Sequence, residues 1–189
     1  MSDDSKHFLE LPVSERLVQT SVLISERRSD EKRWADASKT AGASDHGRVK
    51  AAAKFIEPNS SVLDMGAGAM ALRLYLPPGC LYVPCDIADR GAGCIVADLN
   101  KGEFPVGRYD YITVLGVLEY IHNPKELLAK CRAAAKNLII QYNVDHLTDL
   151  AARRANGWVN DLSHSQLVEI LNAVGWSSIR IEGWIVICQ

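Results

Sequence analysis

The chain has 189 residues, of which 48% are hydrophobic, and its formal net charge is −2. This length and composition suit one domain with a full apolar core. The balanced charge argues against a broad nucleic-acid surface, which needs a basic field, and no apolar run reaches the roughly 18 residues of a membrane span.

Cysteine usage and the polar N-terminal residues bear on the compartment. The first five residues are polar or acidic, so we expect no secretory signal and a cytoplasmic location. The cysteines number five, without a Cys-x-x-Cys spacing, and we expect reduced thiols. The histidines show no ligand spacing with cysteines or carboxylates, so we predict no metal site.

Residues 1–57 are predicted to form a helical extension. Helices are expected over residues 14–37 and 46–56, and the mixed charges of 26–33 indicate an exposed helix face. The extension, with Trp34 and the segment 43–48, is expected either to cover a ligand site as a lid or to serve as packing helices.

Residues 58–189 are predicted to form a second unit built on a parallel sheet. Short apolar strands are expected over 61–65, 81–86, 94–97 and 109–115, followed by a helix over 124–135 and a strand over 137–142. Only residues 87–93 connect the second and third strands, whereas a parallel crossover normally needs a dozen or more residues. We therefore expect a rudimentary third strand or a connecting turn.

The C-terminal residues predict a helix and a hairpin. Ser163 and Gln166 have the spacing of a capping box, and Gly175 is a natural stop. Strands over 178–181 and 184–188 are separated by two turn residues. The fold class is therefore α/β: a doubly wound, mostly parallel sheet that ends in an antiparallel hairpin, in a three-layer α/β/α sandwich with an N-terminal helical extension.

A glycine turn with two carboxylates is the strongest functional motif. Strand 61–65 contains Asp64 and leads into Gly66-Ala67-Gly68, and Asp86 ends the next strand. Such a turn lets backbone approach a nucleotide closely. The run 66–71 also fits the dinucleotide fingerprint, so NAD is a competitor. Asp64 would repel a pyrophosphate but attract an ammonium group, which favours S-adenosylmethionine.

From about Ser61 onward the chain resembles the class I S-adenosylmethionine-dependent methyltransferases. The resemblance rests on the run 62–68, on Asp86, on Asp98 after the third strand, and on the run 109–121. It implies that Asp86 binds the ribose hydroxyls and that Asp98 lies near the adenine amino group. The implied cofactor-binding residues are Asp64, Gly66, Ala67, Gly68, Asp86, Ile87, Asp98, Leu99, Leu115 and Gly116.

The resemblance implies a methyltransferase that acts on a small-molecule acceptor, with no nucleic-acid or membrane partner. Glu119 and His122 are the candidate catalytic bases, with Tyr120 beside them, although each also suits a structural role. Met70 stands where the family often has a glycine, which keeps open a non-catalytic S-adenosylmethionine-binding module. An NAD-dependent oxidoreductase is the other alternative.

Overall fold

A seven-stranded sheet forms the centre of the protein, with the strand order β3-β2-β1-β4-β5-β7-β6. The structure is a computed structural model that describes residues 7–35, 46–91, 93–144 and 149–189. The strands are β1 Ser61–Met65, β2 Leu81–Asp86, β3 Ile95–Val96, β4 Tyr109–Leu115, β5 Ala135–Gln141, β6 Arg180–Glu182 and β7 Ile185–Cys188. Strands β1 to β5 pair in parallel, and β6 and β7 complete the sheet antiparallel.

Helices cover both faces of this sheet. They are α1 Val13–Glu26, α2 Glu31–Ala35, α3 His46–Ala53, α4 Pro124–Ala134, α5 Leu150–Ala155 and α6 His164–Ala173. Val62 and Tyr111 pack with α3 on one face, while Leu63 and Ile112 belong to the opposite core with residues of α4 and α6. This alternation is the period of two that a pleated strand imposes. The predicted fold class is confirmed.

The predicted connections around the sheet are confirmed where the structure describes them. Strand β3 has only two residues, and residues 87–91 and 93–94 form no helix, as the short connection required. The capping box is present, because the Ser163 side chain accepts from the Gln166 amide while the Gln166 side chain accepts from the Ser163 amide. Asn123 caps α4 through the amide of Glu126.

The single helix predicted over residues 14–37 is wrong. Helix α1 ends at Arg27, which has a left-handed backbone, and α2 begins at Glu31. Beyond Ile24 the sequence has no apolar face to pack, while the Asp30 carboxylate accepts from the Arg33 amide and starts a new helix. The predicted end at residue 37 and residues 43–45 of the proposed lid lie outside the described residues.

Other boundaries shift by one to three residues. The second helix stops at Ala53 instead of residue 56, and the third strand begins at Ile95 instead of residue 94. Strand β5 starts two residues early because the chain passes directly from α4 into the ladder at Ala135. The hairpin strands are shorter than predicted, because β6 begins only at Arg180, after the positive φ of Ser178, and β7 begins at Ile185, after Trp184 of the turn.

Arg153, in the last turn of α5, joins this helix to the segments around it. Its side chain is 1% exposed and donates to the Asn143 carbonyl, the Tyr142 hydroxyl, the Asn160 carbonyl and the Asp161 carboxylate. Helix α1 packs on α5 nearby, where Arg16 and Thr20 donate to carbonyls of Ala155 and Arg154. Helix α5 therefore contacts both the segment that follows β5 and helix α1 of the extension. The division at residue 57 stays a prediction.

We expect Arg153→Met to lower the free energy of unfolding by about 3 kcal/mol, because it leaves the Asn143 and Asn160 carbonyls without this buried donor, while Asp161 keeps its bonds from Arg154. Urea denaturation measures the change. The matched control is Arg108→Met, since Arg108 is exposed and makes a single long contact to the Ala133 carbonyl; its effect should stay within about 0.5 kcal/mol. Equal effects of both variants would contradict the role of Arg153.

Candidate functional site

A cavity of about 240 Å³ opens at the carboxyl ends of β1, β2 and β4. The strand order reverses between β1 and β4, which is the position where open α/β sheets bind ligands. Every predicted cofactor-binding residue lines this cavity: Asp64, Gly66, Ala67, Gly68, Asp86, Ile87, Asp98, Leu99, Leu115 and Gly116. The fold thus brings together residues that are spread over more than fifty positions of the sequence.

The glycine turn is fastened to the end of β2. The amides of Gly66 and Ala67 donate to the Cys85 carbonyl at 2.8 and 3.0 Å, and the Gly68 amide donates to the Asp86 carboxylate at 2.8 Å. Gly66 has a φ of 72°, and a β-carbon there would lie 2.1 Å from the Val117 side chain. The turn therefore needs glycine at residue 66 for both its backbone conformation and the close approach of Val117.

Asp64 lies buried beneath this turn. Its two carboxylate oxygens accept hydrogen bonds from the hydroxyls of Thr113 and Tyr82, both at 2.7 Å. Burial raises the pKa of Asp64 to about 6, since these two hydrogen bonds only partly offset the loss of water and the Asp86 charge adds to the rise. Asp64 is therefore a carboxylate whose charge a cationic ligand group would stabilise.

Asp86 lies at the centre of a buried hydrogen-bond network. One oxygen accepts from Gly68, and the other accepts from the Ala88 amide at 3.1 Å and from Arg90 Nη2 at 2.9 Å. The same Arg90 nitrogen donates to the Trp34 carbonyl of α2 at 2.7 Å. The carboxylate predicted to bind ribose is thus linked to the N-terminal extension through one side chain.

Asp98 connects the third strand to the loop between α1 and α2. Its Oδ1 atom accepts from the Ser29 hydroxyl at 2.6 Å and from the Asn100 amide at 3.0 Å. Asn100 in turn donates to Ser29 and to the Tyr120 carbonyl. These contacts hold residues 28–30 over the cavity, so the extension forms part of its wall.

Part of the cavity wall is aromatic and cationic and consists of Arg33, Trp34 and Tyr120. The Arg33 guanidinium lies 4.4 Å from the ring centroids of both Phe8 and Trp34 and 5.2 Å from that of Tyr120. The Tyr120 hydroxyl accepts from Trp158, and burial raises the Tyr120 pKa. Edge-on aromatic rings and a guanidinium form a wall suited to a planar ligand group.

Glu119 and His122 lie outside the residues that line this cavity. Glu119 is buried, and its Oε1 atom accepts from the amide and the side chain of Asn143. Burial raises its pKa. His122 Nε2 lies 3.1 Å from the Arg28 carbonyl oxygen, and its amide donates to Asn100. Their catalytic role stays a prediction, and these contacts favour a structural role for both.

Sequence reasoning missed Arg33, Arg90 and Asn100, which line the cavity, and included Arg48 only as the last residue of the proposed lid segment. Arg90 had the clearest signal, since it follows Asp86 by four residues within a connection too short for a helix. Asn100 follows Asp98 by two residues. The exposed helix face predicted over residues 26–33 is wrong for Arg33, which is 7% exposed and lines the cavity.

Neither a metal-ligand cluster nor a membrane-spanning helix occurs among the described residues. Within them, no cluster of three or more His, Cys, Asp or Glu side chains has the arrangement of a metal site. No helix in the described ranges combines the length and apolar character that crossing a bilayer requires. The five cysteines are free thiols.

Comparison with known proteins gives one family and several solved structures of similar fold. A family model described as a methyltransferase domain matches residues 33–180. A search of curated proteins finds no match.

Solved structures of similar fold include a candidate O-methyltransferase from Nostoc punctiforme, with 14% identity, a TM-score of 0.71, and coverage of 98% of this chain and 71% of that one. A second is PigF with SAH (S-adenosylhomocysteine), with 15% identity, a TM-score of 0.69, and coverage of 94% of this chain and 69% of that one. A third is the methyltransferase candidate in complex with the Trm112 activator of Haloferax volcanii, with 18% identity, a TM-score of 0.65, and coverage of 82% and 79%.

We expect Gly66→Ala to lower the free energy of unfolding by about 2 to 3 kcal/mol, from backbone strain and the clash with Val117. Gly183→Ala is the matched control, because Gly183 also has a positive φ but no atom within 4 Å of the added carbon. Its cost should be about 1 kcal/mol. Denaturant melts of the two variants measure the difference, and equal costs would exclude the clash.

Proposed function

The chain belongs to the methyltransferase domain family, and on this basis we propose that it transfers a methyl group from S-adenosylmethionine to a small-molecule acceptor. One observation supports this most directly: every residue that the resemblance implies for the cofactor lines a single cavity at the reversal of strand order. The fold neighbour PigF is seen with SAH.

The chemistry of the cavity fits the three parts of the cofactor. Asp86 offers a carboxylate to the ribose hydroxyls. Asp98 lies beside the apolar residues Ile87 and Leu99, which suits an adenine ring with an amino group. Asp64 attracts the ammonium of the methionine portion, and Arg48, which contacts Gly116 at the same end of the cavity, supplies a cation for its carboxylate.

Bound S-adenosylmethionine supplies a methyl group already activated by its sulfonium. The protein therefore has to orient the acceptor and exclude water more than to activate the donor. The wall formed by Arg33, Trp34 and Tyr120 is the candidate acceptor side, because these residues line the cavity and are not among those implied for the cofactor. A volume of about 240 Å³ and a net charge of −2 support a small acceptor over a macromolecule.

Calorimetry on the full chain with S-adenosylmethionine, SAH and NAD tests this proposal. We expect micromolar binding of the first two and none of NAD, which would justify an acceptor screen by methyl-transfer assay. Binding of NAD alone would contradict the proposal and favour a redox enzyme. Binding of SAH without turnover of any acceptor in a broad screen would contradict the proposed acceptor class.

We expect Asp86→Asn to weaken SAH binding by about tenfold to a hundredfold, because charge-assisted hydrogen bonds to the ribose are lost. The amide is nearly isosteric but leaves the buried Arg90 guanidinium without its counter-charge, so circular dichroism and a denaturant melt establish that the variant is folded before titration. Asp89→Asn is the matched control, since Asp89 is exposed in the same connection and is not among the residues that line the cavity. Calorimetry measures both, and equal affinities of a folded Asp86→Asn variant and the control would remove Asp86 from the donor site.

We expect SAH affinity to fall about fourfold from about pH 7.5 to about pH 5.5. A carboxyl group with a pKa of about 6 is almost fully charged at the higher pH and about one-quarter charged at the lower, and only the charged form attracts the ammonium. Asp64→Asn should bind weakly and lose this component of the pH dependence. Titrations at both pH values measure it, and an unchanged slope in the variant would assign the effect to a group other than Asp64.

A further inference from the structure

Asp86 and Arg90 form a buried ion pair in the wall of the cavity. Their side chains are 7% and 2% exposed, and Nη2 of Arg90 lies 2.9 Å from the Asp86 carboxylate. Arg90 lines the same cavity as Asp86. Its position is unusual for an arginine, because Nε and Nη1 are also buried and have no hydrogen-bond partner among the described residues.

Unpartnered nitrogens of a buried guanidinium cost free energy. Replacing an ion pair of this kind with apolar residues is often neutral or stabilising in proteins. Stability alone is therefore a poor explanation for Arg90. Residues that break the rules of polar satisfaction concentrate at functional sites, where another requirement outweighs stability.

The acceptor capacity of Asp86 indicates what that requirement is. A carboxylate has about four lone-pair positions, and Asp86 already accepts from the Gly68 amide, the Ala88 amide and Arg90. About one position remains for a ligand hydroxyl. The direction of that last position depends on how the carboxylate is rotated, and Arg90 is the only side chain among its three donors.

Arg90 also reaches the extension. The nitrogen that holds Asp86 donates to the Trp34 carbonyl at 2.7 Å, and the Trp34 ring packs edge-on against Tyr120 with centroids 5.0 Å apart. A movement of α2 away from the cavity would break the hydrogen bond to Arg90. The orientation of Asp86 and the closed position of α2 are thus linked through one atom.

We propose that Arg90 is a positioning residue of the donor site: it holds the Asp86 carboxylate in the orientation that accepts a ribose hydroxyl and couples this orientation to closure of helix α2 over the cavity. This inference rests on the proposed function. It gives Arg90 a role in ribose recognition without direct contact with the reacting atoms.

The test compares SAH with its 2′-deoxy and 3′-deoxy analogues in calorimetric titrations of the full chain. In the wild type, at least one analogue should bind about tenfold more weakly than SAH, which is the scale of one charge-assisted hydrogen bond. In Arg90→Met this ratio should fall below about threefold. Arg108→Met, at the opposite end of β4, is the matched control and should keep the wild-type ratio.

A merely structural Arg90 would give a different result. Arg90→Met would then weaken SAH and both analogues by the same factor, and the unchanged ratio would overturn the inference while leaving the proposed function intact. A wild type that binds SAH but does not discriminate against either analogue would also overturn it. Failure of the wild type to bind SAH would overturn the proposed function and this inference together.

Arg90→Lys carries the same test if Arg90→Met does not fold. Lysine keeps a positive charge beside Asp86 but lacks the planar fork that reaches the carboxylate and the Trp34 carbonyl together. We expect the ratio of SAH affinity to analogue affinity in this variant to be at least about threefold lower than in the wild type. A wild-type ratio in a folded Arg90→Lys variant would show that charge alone suffices and would overturn the coupling to α2.

Discussion

The hydrogen bond from the Gly68 amide to the Asp86 carboxylate is the interaction on which the site depends. It joins the turn after β1 to the end of β2 and places backbone amides and a carboxylate on one wall of the cavity. The neighbouring bonds from Gly66 and Ala67 to the Cys85 carbonyl make this junction rigid. A ligand in the cavity therefore meets groups whose positions are set before it arrives, which lowers the ordering cost of binding.

Buried charge is the cost of this arrangement. Asp64 and Asp86 lie close enough for the charge of Asp86 to raise the pKa of Asp64. The folded-state pKa of Asp64 lies above its unfolded value, so its contribution to stability is complete below the unfolded value and is lost as the pH rises through about 6. At neutral pH the charged Asp64 carboxylate destabilises the fold, and a cationic ligand group bound beside it would offset this electrostatic cost.

The extension completes the cavity that the sheet begins. Helix α1 is anchored on α5 through Arg16 and Thr20, and the following loop is held by Ser29 against Asp98. Residues of the extension therefore face residues of three strand ends across one cavity. The extension is also linked to the glycine turn, because Arg90 donates to both the Trp34 carbonyl and the Asp86 carboxylate, which accepts from the Gly68 amide.

The sequence by itself determined the parts that depend on local periodicity and on short motifs. Strands β1, β2 and β4 lie at the predicted residues, because continuous apolar runs bounded by turns define buried parallel strands. That these residues line one cavity was also predictable, since each lies within three residues of the end of β1, β2, β3 or β4, and the carboxyl ends of parallel strands meet at one edge. Capping chemistry similarly fixed the start of α6 at Ser163.

Only the tertiary structure decided what the remaining polar residues do. Glu119 and His122 lie near the motif in sequence, but Asn143 and Arg28, from distant segments, hold their side chains. Arg90 and Arg33 became part of the cavity because α2 folds back across the sheet edge. Periodicity specifies which face of an element is buried, whereas the partner of a buried charge is chosen by long-range packing. No local pattern in this chain contains that information.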